Sequence, residues 1–185
     1  SVVAETEVPR EGIGVKIAFD VGFKGGFESA TVDVPEGANF NQSVDFEFPE
    51  EVKKMIESVT FPKEGLGFDL TLNSTLPKGN NIDMSINAFG EDLTKITPAE
   101  SNVWSFRTAN EYVLKPENPF SATIKVTPPG YDSASNTMTI KNVLPGASYS
   151  LSGEAKIIAD WKSITLKNTA TAPFTGSFPA AGAEP

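Results

Sequence analysis

The sequence predicts an all-β fold of antiparallel sandwiches with one short helix, and three observations carry that prediction. Apolar residues fall on every second position along most of the chain, the period of a strand whose successive side chains point to opposite faces. Fifteen glycines and fourteen prolines punctuate these runs at short intervals. The spacing of a helix occurs once, where Val52, Met55, Ile56 and Val59 fall at i, i+3, i+4 and i+7.

Residues 1–11 read as a lead-in that can add an edge strand. From Ile13 to Phe23 the odd positions are apolar, and Lys24-Gly25-Gly26 ends the run because glycine tolerates positive φ. Ala30, Val32 and Val34 continue in phase until Pro35-Glu36-Gly37, and Val44, Phe46 and Phe48 make a further strand. Pro49 suits a first helical turn, Glu50 and Glu51 sit at the positive end of the helix dipole, and Lys53 and Lys54 follow. A helix is therefore expected near residues 49–58, crossing one end of a sandwich. Phe68, Leu70 and Leu72 then alternate with polar residues, Pro77 to Asn81 interrupts, and Ile82, Met84, Ile86 and Ala88 resume the alternation. Two such strands joined by a five-residue Pro/Gly/Asn loop read as an antiparallel hairpin.

Glu91 to Asn102 is polar and reads as a long connection. Val103–Phe106 and Tyr112–Leu114 are short strands, Pro116 to Pro119 a rigid stop, and Ala122, Ile124 and Val126 the next alternating run. Residues 128–136 form a loop, Met138 and Ile140 follow, and Pro145-Gly146 turns the chain. Tyr149, Leu151, Gly153, Ala155 and Ile157 hold odd phase, whereas Ile164 and Leu166 hold even phase, so a turn or bulge belongs around Asp160–Ser163. Ser29–Val34 and Ser121–Val126 are spelled almost alike, as in an internal repeat. The expected domains are 1–95 and 96–172, each a sandwich, with 173–185 a flexible tail. The alternative is a single larger sandwich with an inserted helix.

Composition removes several function classes. There is no Cys and no His, which excludes Ser-His-Asp and Cys-His nucleophilic sites and leaves no soft or imidazole ligand for zinc, copper or haem. No cofactor is expected. Net charge is −9, so duplex nucleic acid is a poor partner, since phosphate contacts need clustered Lys and Arg. No apolar run approaches the roughly 20 residues that span a bilayer. The chain starts Ser1-Val2-Val3 without Met and reads as a mature or trimmed end.

The stretch Thr139 to Leu151, with Pro145-Gly146 followed by Tyr149, resembles the approach to the sixth strand of fibronectin type III modules. There a Pro-Gly turn crosses between sheets and a tyrosine fills the corner, its hydroxyl bonding upstream backbone. The resemblance implies that role for Tyr149 and an immunoglobulin-like or fibronectin-like form for the two tandem sandwiches. More broadly, the Cys-free chain of Thr/Asn-rich alternating strands resembles secreted or lipid-anchored surface β-sandwich proteins of gut-type Gram-negative bacteria. That likeness implies an extracellular or outer-membrane surface location and a role in adhesion or glycan capture.

Candidate chemistry is sparse. Paired carboxylates can hydrolyse glycosides without His, and Glu47, Asp69, Asp83, Asp92 and Glu154 are candidates, but a solvated polar face is the default for each. Tyr131 to Asn136 and Asn80 to Asp83 offer oxygen ligands without calcium-loop spacing, and such residues also simply make turns. The sequons at Asn41 and Asn73 are explained by chance, and Gly12-Ile13-Gly14 lacks the rest of a dinucleotide loop. Trp104 alternates with Phe106 and belongs to the core. The ligand-binding candidates are Tyr131 with Asp132 and Asn136 on one loop, and Trp161 at the phase flip. The expected function is a non-enzymatic surface binding or adhesion module with a protein or glycan partner. The alternatives are a carbohydrate-binding accessory domain or small hydrolase, and a structural spacer or pilus-like subunit.

Overall fold

The computed structural model describes residues 2–3, 16–96 and 102–168. In chain order the elements are β1 (Val2–Val3), β2 (Lys16–Gly22), β3 (Phe27–Asp33), β4 (Phe40–Phe46), α1 (Glu50–Met55), β5 (Ile56–Phe61), β6 (Leu66–Ser74), β7 (Asp83–Ala88), β8 (Glu91–Asp92), β9 (Thr94–Ile96), β10 (Val103–Arg107), β11 (Tyr112–Leu114), β12 (Phe120–Thr127), β13 (Thr137–Val143), β14 (Ser148–Ala159) and β15 (Ser163–Leu166). Strands dominate, and α1 is the one helix among the described residues.

Two five-stranded sheets form the body. The first has the order β1-β4-β12-β7-β8 and the second β2-β14-β6-β10-β9. The two-residue β1 joins β4 in parallel at the edge of the first sheet; the neighbouring pairs β4–β12 and β12–β7 are antiparallel. Alternation puts Val44, Phe46, Ala122, Ile124, Val126, Met84, Ile86 and Ala88 on the inner face of the first sheet, all buried. Phe68, Leu70, Leu72, Leu151, Ala155, Ile157 and Phe106 are the buried inner face of the second. The two faces meet, with the Phe46 and Phe68 ring centroids 6.1 Å apart. Phe120 and Phe89 extend this contact into an aromatic cluster that reaches Tyr112. Burial of this apolar surface, at about 25 cal/mol per Å², is what holds the sheets together.

Each end of the body is capped. Strands β11, β5 and β15 form a three-stranded sheet in that order at one end, with Ile56, Val59, Phe61 and Leu114 buried beneath it. At the other end β3 and β13 pair as an antiparallel ribbon. β3 carries the chain from the second sheet to the first, and β13 carries it back; Met138, Ile140 and Val143 are buried under the ribbon.

Several expectations give way. Strands β6 and β7 are amphipathic as predicted but do not form a hairpin: β6 lies between β14 and β10, β7 between β12 and β8. Residues 77–81 cross from one sheet to the other. Alternation fixes which face is buried, not which strand lies alongside, and strands opposed across a core carry the same pattern as a hairpin. The boundary between residues 95 and 96 does not divide the sheets either. All four sheets combine strands from both sides of it, because β12 pairs with β4 and β7, β14 with β2 and β6, β13 with β3, and β5 with β11 and β15. The helix ends at Met55, and Ile56 to Ser58 begin β5, whose pairing on both sides outcompetes a short helix with no side-chain cap at Pro49. The stretch 91–102 holds β8 and β9 within its described part. The tail 173–185 and the lead-in residues 4–15 lie outside the described residues.

Candidate functional site

The three-stranded cap builds a cleft. In the β5–β15 pair, Thr165 faces Ser58 but Leu166 faces Ile56, so the register slips at Glu57. This bulge lets Ile56 and Val59, three apart, both stay buried, and it leaves Glu57 exposed. Between β11 and β12 the chain turns at Lys115–Asn118, closed by the Asn118 N–H donating to the Lys115 carbonyl at 3.0 Å and seated on buried Pro116. After β15, the Lys167 N–H donates to the Met55 carbonyl at 2.9 Å, fixing the chain against the end of α1. Glu57, Lys115, Glu117, Asn118, Lys167 and Asn168 together line a cleft of about 420 Å³.

Charge in the cleft is balanced and partly pre-ordered. The Lys167 ammonium donates to Glu117 Oε1. That hydrogen bond first, then the ammonium charge, with Lys53 adding, holds the Glu117 carboxyl below the usual carboxylate range. Nearby, Lys53 bonds Glu47 at 2.7 Å and Glu50 at 3.2 Å. Its hydrogen bond to Glu47 raises its pKa despite opposing desolvation. The lining thus offers carboxylate acceptors, ammonium donors and amides that do both, but no aromatic platform.

The residues singled out from the sequence fall elsewhere. Tyr131 is half-buried. Asp132 shapes its own loop: its carboxylate accepts the Ala134 N–H at 2.9 Å, and its backbone pairs with Thr137. Asn136 takes a left-handed φ of 53°, and its carbonyl accepts the Val34 N–H at 3.0 Å. Trp161 is half-buried and packs against the core after β14, at the opposite end of the sandwich from the Tyr131 loop. The four are therefore not one constellation. Of the candidate acids, Glu47 pairs with Lys53, Asp69 with Arg107 at 2.9 Å, and Asp92 accepts from Asn87 at 2.8 Å. Asp83 and Glu154 are exposed, and none of the five lines the cleft.

The cleft residues escaped the sequence reading. Glu57 lay inside an apparent helical period, Glu117 and Asn118 inside a stretch read as punctuation, and Lys167 just past the last strand. The Pro-bracketed turn 116–119 is the one signal that marks a rigid, displayed loop. Comparison of the chain with protein-family models, with curated proteins and with solved structures finds no match.

Proposed function

We propose that the chain is a non-enzymatic binding module of a cell surface and that the cap cleft is its ligand site. The observation that carries this reading is the cleft itself: three segments distant in sequence converge on an open, polar hollow whose Glu117 and Lys167 are held by their mutual ion pair. Such a lining suits a polyhydroxylated ligand, a glycan, because sugar hydroxyls both donate and accept. An extracellular or outer-membrane location, with any lipid anchor outside this chain, belongs to the same proposal, as does kinship with immunoglobulin-like or fibronectin-like surface sandwiches. The kinship is supported by the corner at Tyr149, whose phenolic oxygen accepts the Leu144 N–H at 3.0 Å. A glycan array read with the native chain and with Glu57→Gln and Lys115→Gln tests the site. Retention of a glycan class that both variants lose is the expected result; a blank array, with no movement of cleft resonances on adding oligosaccharides, overturns it.

A second reading, glycoside hydrolysis, draws on the presence of two carboxylates, Glu57 and Glu117, in one cleft. Glu117, kept ionised by Lys167, suits a base or nucleophile and would leave the acid role to Glu57. Release of reducing sugar by the native chain, abolished in both Glu57→Gln and Glu117→Gln, would favour this reading over binding alone.

A further inference from the structure

The end of the sandwich away from the cleft carries an apolar corner with lysines around it. Two turns meet there, 24–26 between β2 and β3, and 144–147 between β13 and β14. The Gly146 N–H donates to the Lys24 carbonyl at 3.1 Å, and the Phe23 N–H to the Ala147 carbonyl at 2.8 Å. Tyr149 pins the backbone at Leu144, and the Phe27 ring meets Phe23 edge-on at 6.5 Å. With the backbone so held, Phe27 is 48% exposed and Leu144 65%, beside exposed Pro145. Single exposed apolar residues need no explanation; two displayed together on docked turns do.

The local charge runs against that of the chain. Lys24 stands in the first turn and Lys141 near the end of β13. Lys78 lies in the loop whose carbonyl accepts the Asn142 side chain at 3.2 Å. All three are exposed. Residues 22–28, 77–81 and 141–147 hold these three lysines and one carboxylate, Glu28, in a chain of net charge −9. Asp33 and Asp132 belong to the first-sheet side of this end, while exposed Asp20 precedes Gly22 by two residues on β2 and exposed Asp83 follows the 77–81 loop by two. Asp33 lies along β3 from Phe27 by roughly 20 Å at about 3.3 Å per residue, beyond the ~8 Å screening length of physiological salt.

We propose that this corner docks on an anionic lipid surface, with Phe27, Leu144 and Pro145 entering the headgroup layer and Lys24, Lys78 and Lys141 facing lipid phosphates. The exposed apolar residues here are three, Phe27, Leu144 and Pro145, whereas a standard protein interface takes about 20–30 residues a side. A lipid interface, in contrast, takes a short apolar tip backed by basic residues as a reversible anchor. Docked in this way, the chain holds its cap cleft on the far side, beyond the length of β12, about 25 Å from the lipid.

Sedimentation of the full chain with phosphatidylcholine vesicles, plain or doped with phosphatidylserine, tests the proposal. The chain is expected to bind only the doped vesicles, and less as salt rises. The triple variant Lys24→Gln/Lys78→Gln/Lys141→Gln is expected to bind about 100-fold more weakly, since each basic residue near the surface is worth about fivefold. A Leu144→Trp chain, altered at an exposed position, is expected to shift its emission to the blue on doped vesicles. Failure to sediment with doped vesicles at low salt overturns the proposal and leaves the corner to a protein partner. Unchanged binding by the triple variant, or a Trp emission that does not move, overturns it as well.

Discussion

The side chain of Asn80 pairs with the backbone of Lys141 as a neighbouring strand would. Its Oδ1 accepts the Lys141 N–H at 2.8 Å, and its Nδ2 donates to the Lys141 carbonyl at 3.0 Å and to the Pro77 carbonyl at 2.8 Å. On its other side β13 pairs with β3, so this amide shields part of an otherwise open strand edge. It also ties the crossing between β6 and β7 to the ribbon.

An amide can accept and donate at once, whereas an ionised carboxylate can only accept. Asn80→Asp is therefore expected to lower stability by about 1–2 kcal/mol and Asn80→Ala by about 2–3 kcal/mol. Urea denaturation measures both. Midpoints equal to that of the native chain would show the contact to be idle.

Much of the fold was legible in the alternation, and its gaps have a physical cause. Phe68, Leu70 and Leu72 read as inward-facing and are all buried, and Tyr149 makes the bond its corner position implied. Partners were not legible. Ser29–Val34 and Ser121–Val126 share a pattern, yet β3 ends up in a two-stranded ribbon and β12 at the centre of a sheet. In each, the middle threonine shares a hydroxyl hydrogen bond with the strand alongside, Thr31 with Thr139 and Thr123 with Ser43, both at 2.9 Å. The same local chemistry serves two neighbourhoods, and the neighbourhood is chosen by loops and core volume. The cleft was illegible for a related reason: Glu57 reaches it through a bulge, and Lys115 and Lys167 come from segments far apart in sequence. Asp132 and Asn136 drew notice as ligand types, but their observed bonds shape their own loop.

The Glu117–Lys167 pair gives the cleft a pH signature. Glu117 ionises below the usual 4.5 in the folded chain because Lys167 binds its charged form. The folded state thus takes up the proton less readily than the unfolded one. The pair's contribution is complete above the unfolded pKa and is lost as pH falls through the lowered folded value. Lys167→Met is expected to lose stability less steeply than the native chain below about pH 4.5, with the difference shrinking in high salt because the pair is exposed. Thermal midpoints across that range, with and without salt, measure it; parallel curves would show the ion pair to be inert.

Thr108 is fully buried, and its Oγ1 has no hydrogen-bond partner among the described residues. Its backbone is satisfied, the N–H donating to the Leu66 carbonyl at 2.9 Å and the carbonyl accepting the Glu64 N–H at 3.0 Å. A buried hydroxyl without a partner costs about 1–3 kcal/mol, and valine keeps the shape without the polar atom. Thr108→Val is expected to raise stability by about 1 kcal/mol. Thr108→Ser, which keeps the hydroxyl and removes a methyl group, is expected to lower it by about 1 kcal/mol. A valine chain less stable than the native one would mean that the hydroxyl is bonded in solution.

Gly67 and Gly90 are irreplaceable to different degrees, and a matched pair of alanine variants separates the reasons. Gly67 sits in β6 with Arg107 of β10 on one side and Ile158 of β14 on the other. A Cβ there would fall inside the Phe106 carbonyl oxygen and only 3.0 Å from Arg107 Cα, both rigid backbone. Making room means prying β10 from β6 above the buried Phe68 and Phe106, so Gly67→Ala is expected to cost more than about 3 kcal/mol or to prevent folding. Gly90 has φ +76° with nothing within 4 Å of a built Cβ; with Phe89 at φ 57° it makes the two-residue turn of the β7–β8 hairpin. Gly90→Ala therefore meets only the left-handed penalty, about 1–2 kcal/mol. Denaturant midpoints in the reverse order would mean that β6 and β10 are not packed backbone to backbone, and the close approach at the centre of the second sheet would have to be abandoned.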